Sequence, residues 1–142
     1  METDKKASLR YAVRLLIKHP GIDPQFISKE LGLTPIACWS AGAARATPTG
    51  RPLPGVHKES MWNYSNKIEG DRRFFEHFAK MISDLEPQAR FLAEIVEGGG
   101  TVTLIIHLPG DINIGNVLSW RYLERLSRLH VDLGIEVFPQ FA

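Results

Sequence analysis

From Leu9 to Lys18 the chain alternates, with Leu9, Tyr11, Val13, Leu15 and Ile17 in one set and Arg10, Ala12, Arg14, Leu16 and Lys18 in the other. A period of two marks a strand with one buried face. A helical template also fits, because Leu9, Ala12, Val13, Leu16 and Ile17 fall at i, i+3, i+4, i+7 and i+8. The strand is preferred because the alternation holds at nearly every position. His19-Pro20-Gly21 then turns the chain. Asp23 suits the cap of a helix with Pro24 at its first position, Ile27 and Leu31 facing inward, Gly32 ending it and Leu33 packing beyond the terminator.

Between Thr34 and Met61, Gly42, Gly50 and Gly55 with Pro35, Pro48, Pro52 and Pro54 break any long regular element. Residues 34–61 therefore read as an irregular region, closed by a short strand at Trp62-Asn63-Tyr64-Ser65. Asp71 to Leu85 is helical, with Phe74, Phe75, Phe78, Met81, Ile82 and Leu85 on one face and Arg72, Arg73, Glu76, Lys80 and Asp84 on the other. A second helix opens at Pro87 and buries Phe91, Leu92, Ile95 and Val96. Gly98-Gly99-Gly100 ends it before an apolar, β-branched strand from Thr101 to Leu108. After Pro109-Gly110-Asp111, Ser119 caps a helix that turns Leu123, Leu126 and Leu129 inward, and Val131 to Phe138 alternates again. The order implies one α+β domain over 1–142, a sheet of about four to five strands packed by about four helices. Strand, Pro-Gly turn and capped helix occur at Leu9 to Leu33 and again at Val102 to Leu129. Two related halves on one sheet would produce this echo, and so would chance, since these are common parts.

The net charge of +1 conceals an asymmetry. Residues 1–58 hold nine Lys/Arg against four Asp/Glu, whereas residues 59–142 hold eight against twelve. Thr34 to Lys58 contains no acid but carries Arg45, Arg51, His57 and Lys58. That suits an anionic partner, or simply an acidic part folded against a basic one. Cys38 is the single cysteine, which excludes an intramolecular disulfide and a Cys-rich metal cluster. The mixed charges of Met1 to Lys6 and the lack of a long apolar run lead us to expect a cytoplasmic protein that does not enter a membrane.

Asp23-Pro24-Gln25-Phe26-Ile27-Ser28-Lys29-Glu30-Leu31-Gly32-Leu33-Thr34-Pro35, Gly42, Trp62 before a capped helix, and the closing helix and strand together resemble a bacterial family of unknown function, DUF4279. The resemblance spans nearly the whole chain. It implies an α+β domain and supplies no activity, ligand or catalytic residue. Some small families of this kind are immunity proteins that bind toxins, which is an analogy alone. The same Ile27 to Thr34 stretch also suits a DNA-binding helix-turn-helix over 24–46, with Thr34 capping a second helix from Ile36 to Arg45. Its face would be poorly equipped: Ala37, Cys38, Ala41, Ala43 and Ala44 offer little to base edges, leaving Ser40 and Arg45.

Other chemistries find little support. Gly110 to Val117 has the glycine spacing of a phosphate loop but carries Asn116 and Val117 where Lys and Ser/Thr belong. Gly98-Gly99-Gly100 leads from helix to strand, the wrong direction for a phosphate site. His19, His57, His77, His107 and His130 are scattered, so no metal or other cofactor is expected. Cys38 has no nucleophile-elbow context and reads as buried and structural. His107, within an apolar strand, reads as a core histidine. Arg121, Arg125 and Arg128 line one helix face and read as solvated surface. No catalytic residue is assigned. The preferred reading is a non-enzymatic module that binds an acidic protein partner through Trp39, Arg45, Arg51, His57, Trp62 and Tyr64, the residue types enriched at binding hot spots. Either tryptophan could instead belong to the core. DNA binding and an enzyme whose site forms only in the fold remain as alternatives.

Overall fold

The computed structural model describes residues 9–70, 73–110 and 114–138. Met1 to Lys6, the helix start at Asp71 and residues 111–113 of the Gly110–Val117 turn lie outside them. Among the described residues, strands β1 (Leu9–His19), β2 (Ala37–Trp39), β5 (Ser60–Gly70), β6 (Thr101–Pro109) and β7 (Asp132–Phe138) form one sheet in the order β2-β5-β1-β6-β7. Strands β3 (Ala44–Ala46) and β4 (Pro52–Val56) form a separate two-stranded ribbon. Helices α1 (Pro24–Leu31), α2 (Phe74–Leu85), α3 (Ala89–Glu97) and α4 (Trp120–Arg128) complete the α+β domain.

The alternation of β1 is the strand pattern: Tyr11, Val13, Leu15 and Ile17 are at most 1% exposed. They share one hydrophobic core with Val102, Leu104 and Ile106 of β6 and with Ile27, Phe78, Ile82, Leu92 and Leu126 of the helices. β1 pairs antiparallel with β5 and with β6. β7 then pairs parallel to β6, Leu104 opposite Leu133 and Ile106 opposite Ile135, and α4 supplies the crossover that parallel neighbours require. The echo between the halves does not extend to connectivity, because β7 joins its own half's strand while β2 joins β5.

The caps follow the sequence. The Asp23 carboxylate accepts from the Gln25 amide at 3.0 Å, and Gly32, at φ 67°, donates its N–H to the Ser28 carbonyl. Ser119 accepts from the Arg121 amide at 3.2 Å. Trp62, fully buried, donates its indole N–H to the Ser28 hydroxyl at 2.9 Å and so ties β5 to α1. Arg125 grips Glu86 through two hydrogen bonds of 2.7 and 2.6 Å and fixes α4 against the short 3-10 turn after α2. That hydrogen bond lowers the Glu86 pKa and raises that of Arg125.

Three expectations need correction. The region 34–61 is not irregular throughout: it contains β2, β3 and β4, and β5 begins at Ser60 and runs to Gly70 rather than stopping at Ser65. Strand pairing overrides the Pro and Gly residues because they fall at turns and in an exposed ribbon, where a missing N–H costs little. The helix-turn-helix is absent, since Ala37–Trp39 and Ala44–Ala46 are strands where its recognition helix would lie, and Leu9–His19 is a strand as well. Cys38 is exposed, not buried, because the three-residue β2 lies at the sheet edge.

Gly100 lies at the α3–β6 junction, where an added Cβ would stand 2.5 Å from the Lys18 carbonyl oxygen and 2.9 Å from the Ile95 carbonyl. Gly100→Ala is expected to destabilise the domain by about 1–3 kcal/mol. Gly21→Ala, with open space around its Cβ, should leave the denaturant midpoint nearly unchanged. Chemical denaturation of the two variants beside wild type measures the contrast.

Candidate interaction surface

The ribbon leaves the main sheet at the β2 edge. Every residue of β2, β3 and β4 is exposed, so the ribbon has no core of its own. Two anchors hold its base: the Ala41 amide donates to the buried Ser60 hydroxyl at 2.9 Å, and the Trp39 indole N–H donates to the Glu59 carbonyl at 3.1 Å. Across this base Trp39 and His57 stack, with centroids 4.1 Å apart and planes 12° from parallel. The Gly42 and His57 amides donate to the His57 and Ala43 carbonyls and close the ladder. Gly42, Gly50 and Gly55 all have φ between 83° and 92°, where an L side chain would be strained.

Arg45 donates to the Pro54 carbonyl at 3.1 Å, and the Arg51 amide donates to the Thr47 hydroxyl at 2.9 Å. Among the described residues, neither side chain has an ion-pair partner, and neither has Lys58. The basic side chains of β1 differ: Arg14 meets Glu136 at 2.7 Å and Lys18 approaches Glu59 at 4.0 Å. Folding therefore joins part of the basic half to the acidic half and leaves the cations of the ribbon outside that pairing.

The six residues singled out in the sequence divide. Trp39, Arg45, Arg51 and His57 come together on the ribbon and its base. Trp62 is in the core on the helix-covered face. Tyr64, on that same face, lines a cavity of about 480 Å³ with Leu33, His77, Met81 and Leu85. Side-chain alternation along β5 puts Trp62 and Tyr64 in the same stack, 6.3 Å apart, and turns both away from the ribbon. Sequence reasoning missed Ser60 and the Glu59 carbonyl, which anchor the ribbon; a lone Ser and a backbone oxygen give no signal before the fold is known. It also missed Leu53 and Val56, which the ribbon exposes by 37% and 53%.

His107 is half-buried on the sheet face opposite the helices, in register with Glu136 and packed at 4.5 Å against the Phe138 ring. Burial lowers its pKa below 6.5, partly offset by Glu136, while Arg14 adds to the lowering. Neither His57 nor His107 lines the 480 Å³ cavity or two others of about 410 and 450 Å³. No group of three His, Cys, Asp or Glu among the described residues could hold a metal ion. The arginines of α4 are engaged: Arg125 with Glu86, Arg128 with Glu124 at 3.2 Å, and Arg121 over the Trp120 ring at 4.8 Å. No helix among the described residues is long and apolar enough to cross a membrane.

An α+β domain with a mixed sheet and a projecting basic ribbon is the class these observations define. The chain belongs to the DUF4279 family, described as a domain of unknown function, whose model matches residues 9–138. No curated protein and no solved structure matches the chain.

Two outcomes follow. Trp39→Ala removes both the stack and the Glu59 anchor, so trypsin should cut after Arg45 and Lys58 several-fold faster than in wild type (Arg51 precedes Pro52 and is not a site), with global stability within about 0.5 kcal/mol. A depressed histidine pKa means that the unfolded chain binds more protons, so the His107 contribution is complete above pH 6.5 and is lost as pH falls through the folded value. Stability measured from pH 7.5 to 5 should therefore fall in wild type more steeply than in His107→Gln.

Proposed function

We propose that the domain is a non-enzymatic binding module that takes an acidic protein partner through the β3–β4 ribbon and the Trp39–His57 stack at its base. The observation that carries this reading is a ribbon with every strand residue exposed, free of acids in sequence and with no ion pair on Arg45, Arg51 or Lys58 among the described residues. An isolated two-stranded ribbon is marginally stable in water. One that keeps Leu53, Val56 and three cations at the surface gains little for the domain's own stability. The same surface suits a partner: a flat aromatic platform, an arginine with most of its five donors left over, and apolar contacts between them. Salt-sensitive steering toward a negative surface follows from the charge. The fold supports this reading over DNA recognition by a helix, because residues 37–46 hold strands and not a groove-reading helix.

The test is capture from nuclease-treated lysate of the source organism with wild type, Arg45→Glu/Arg51→Glu and Trp39→Ala, all confirmed folded by thermal melts. One protein with an acidic surface should be retained by wild type and fall at least tenfold with each variant. Retention of nucleic acid in untreated lysate and of no protein, or a protein set indifferent to the substitutions, would overturn the reading.

A further inference from the structure

The two edges of the main sheet are built differently. β2 is three residues long and passes straight into the ribbon, a short edge of the kind that discourages pairing. β7 at the other edge has seven residues, Asp132-Leu133-Gly134-Ile135-Glu136-Val137-Phe138, with no Pro, Lys or Arg. Its Leu133, Ile135 and Val137 lie on the face that holds the core in β6, yet remain 39%, 59% and 59% exposed. Leu133 also lines a groove of about 450 Å³ with Leu123 and Leu126 of α4, and Leu123 is itself 43% exposed. Core-type residues thus continue onto β7, where α4 covers them only in part.

The main chain is equally unfinished. The Phe138 carbonyl accepts from the Gly110 amide, so the polar groups of Phe138 point toward β6. By alternation Glu136, Gly134 and Asp132 point the same way, and Leu133, Ile135 and Val137 turn their N–H and C=O groups to the edge that no described strand pairs.

We infer that β7 is the contact of a twofold homodimer, in which two copies pair antiparallel about Ile135 and join their sheets. The strand is self-complementary about that residue. Ile135 faces Ile135, and Leu133 faces Val137 on both sides, giving an apolar ladder with about six backbone hydrogen bonds. Charge selects the register. Centred on Ile135, Asp132 lies opposite Phe138 and Glu136 opposite Gly134, so no acid meets an acid. Recentring on Glu136 opposes Glu136 to itself, and recentring on Gly134 opposes Asp132 to Glu136. Glu136 is also held at 2.7 Å by Arg14 of its own chain, which neutralises it near the seam. In this assembly the ribbons lie at the far ends of a ten-stranded sheet, roughly 40 Å apart before twist, so that one dimer presents two binding surfaces.

Analytical ultracentrifugation of the full chain over a range of concentrations is the direct test. Wild type should approach twice the 16.0 kDa chain mass, while Ile135→Lys, placing like charges face to face at an exposed position, should remain at one with an unchanged circular dichroism spectrum. Should that variant misfold, cross-linking decides in a Cys38→Ser background. Ile135→Cys would bring the two Cα atoms to roughly 5.5 Å and close an interchain disulfide under mild oxidation. Val137→Cys would hold them roughly 14 Å apart and should not. A wild type monomeric at every concentration, or cross-linking through position 137 and not 135, would overturn the proposal.

Discussion

Strand β1 is hydrogen-bonded along both edges, to β5 from Leu9 to His19 and to β6 from Ala12 to Lys18. The rest of the domain takes its position from that register. A slip of one residue would turn Tyr11, Val13, Leu15 and Ile17 to the open face and bring Arg10, Arg14 and Lys18 into the core. The correct register aligns Ile17 with Trp62 and Val102, and Leu15 with Tyr64 and Leu104, a continuous apolar surface over which the four helices close. Burying several such side chains, each contributing roughly 1.5–3 kcal/mol, far outweighs any single cap or ion pair. Trp62 shows the coupling at one residue: its ring fills the core below β1 while its N–H reaches Ser28 and fixes α1.

Around this body the surface divides into two edges of opposite character. At the β2 edge the chain departs as a basic ribbon, tethered by a serine hydroxyl and an indole N–H, with little hydrophobic burial to resist local opening. At the β7 edge the apolar pattern of the core runs on, and among the described residues Leu133, Ile135 and Val137 remain exposed there. Small domains tolerate scattered exposed apolar residues, but a seven-residue edge strand with three of them on one face is a surface that native proteins ordinarily blunt with a Lys, a Pro, a bulge or a covering segment. The two edges are separated by the width of the sheet, so the proposed binding through one would not compete with the proposed pairing through the other.

The open face of the sheet links them electrostatically. Arg14 and Glu136 bridge β1 and β7 there, and His107 lies in the same row with its pKa held down by burial. Half-buried charges whose partners come from distant parts of the sequence explain how a chain with a basic first part and an acidic second part folds without large self-repulsion. Among the described residues, the ribbon, formed from an acid-free stretch and standing away from the sheet, is outside that compensation.

The sequence by itself determined the local chemistry: the period of two in β1 and β7, the apolar stripes of α2 and α3, the Asp23, Gly32 and Ser119 caps, the mixed α+β class and the family. The periods, stripes and caps depend on neighbours within a few residues, and the class and family follow from the order of such local signals along the chain, so each was legible. Only the tertiary structure decided which strands became neighbours. It turned Trp62 and Tyr64 inward while leaving Trp39 and His57 stacked outside, and it made strands of a Pro- and Gly-rich stretch that has no periodic signal. It also placed β7 at an edge, so that Leu133, Ile135 and Val137, patterned like core, remained exposed. The physical reason is that alternation specifies which residues share a face, whereas burial of that face depends on contacts made across the whole chain.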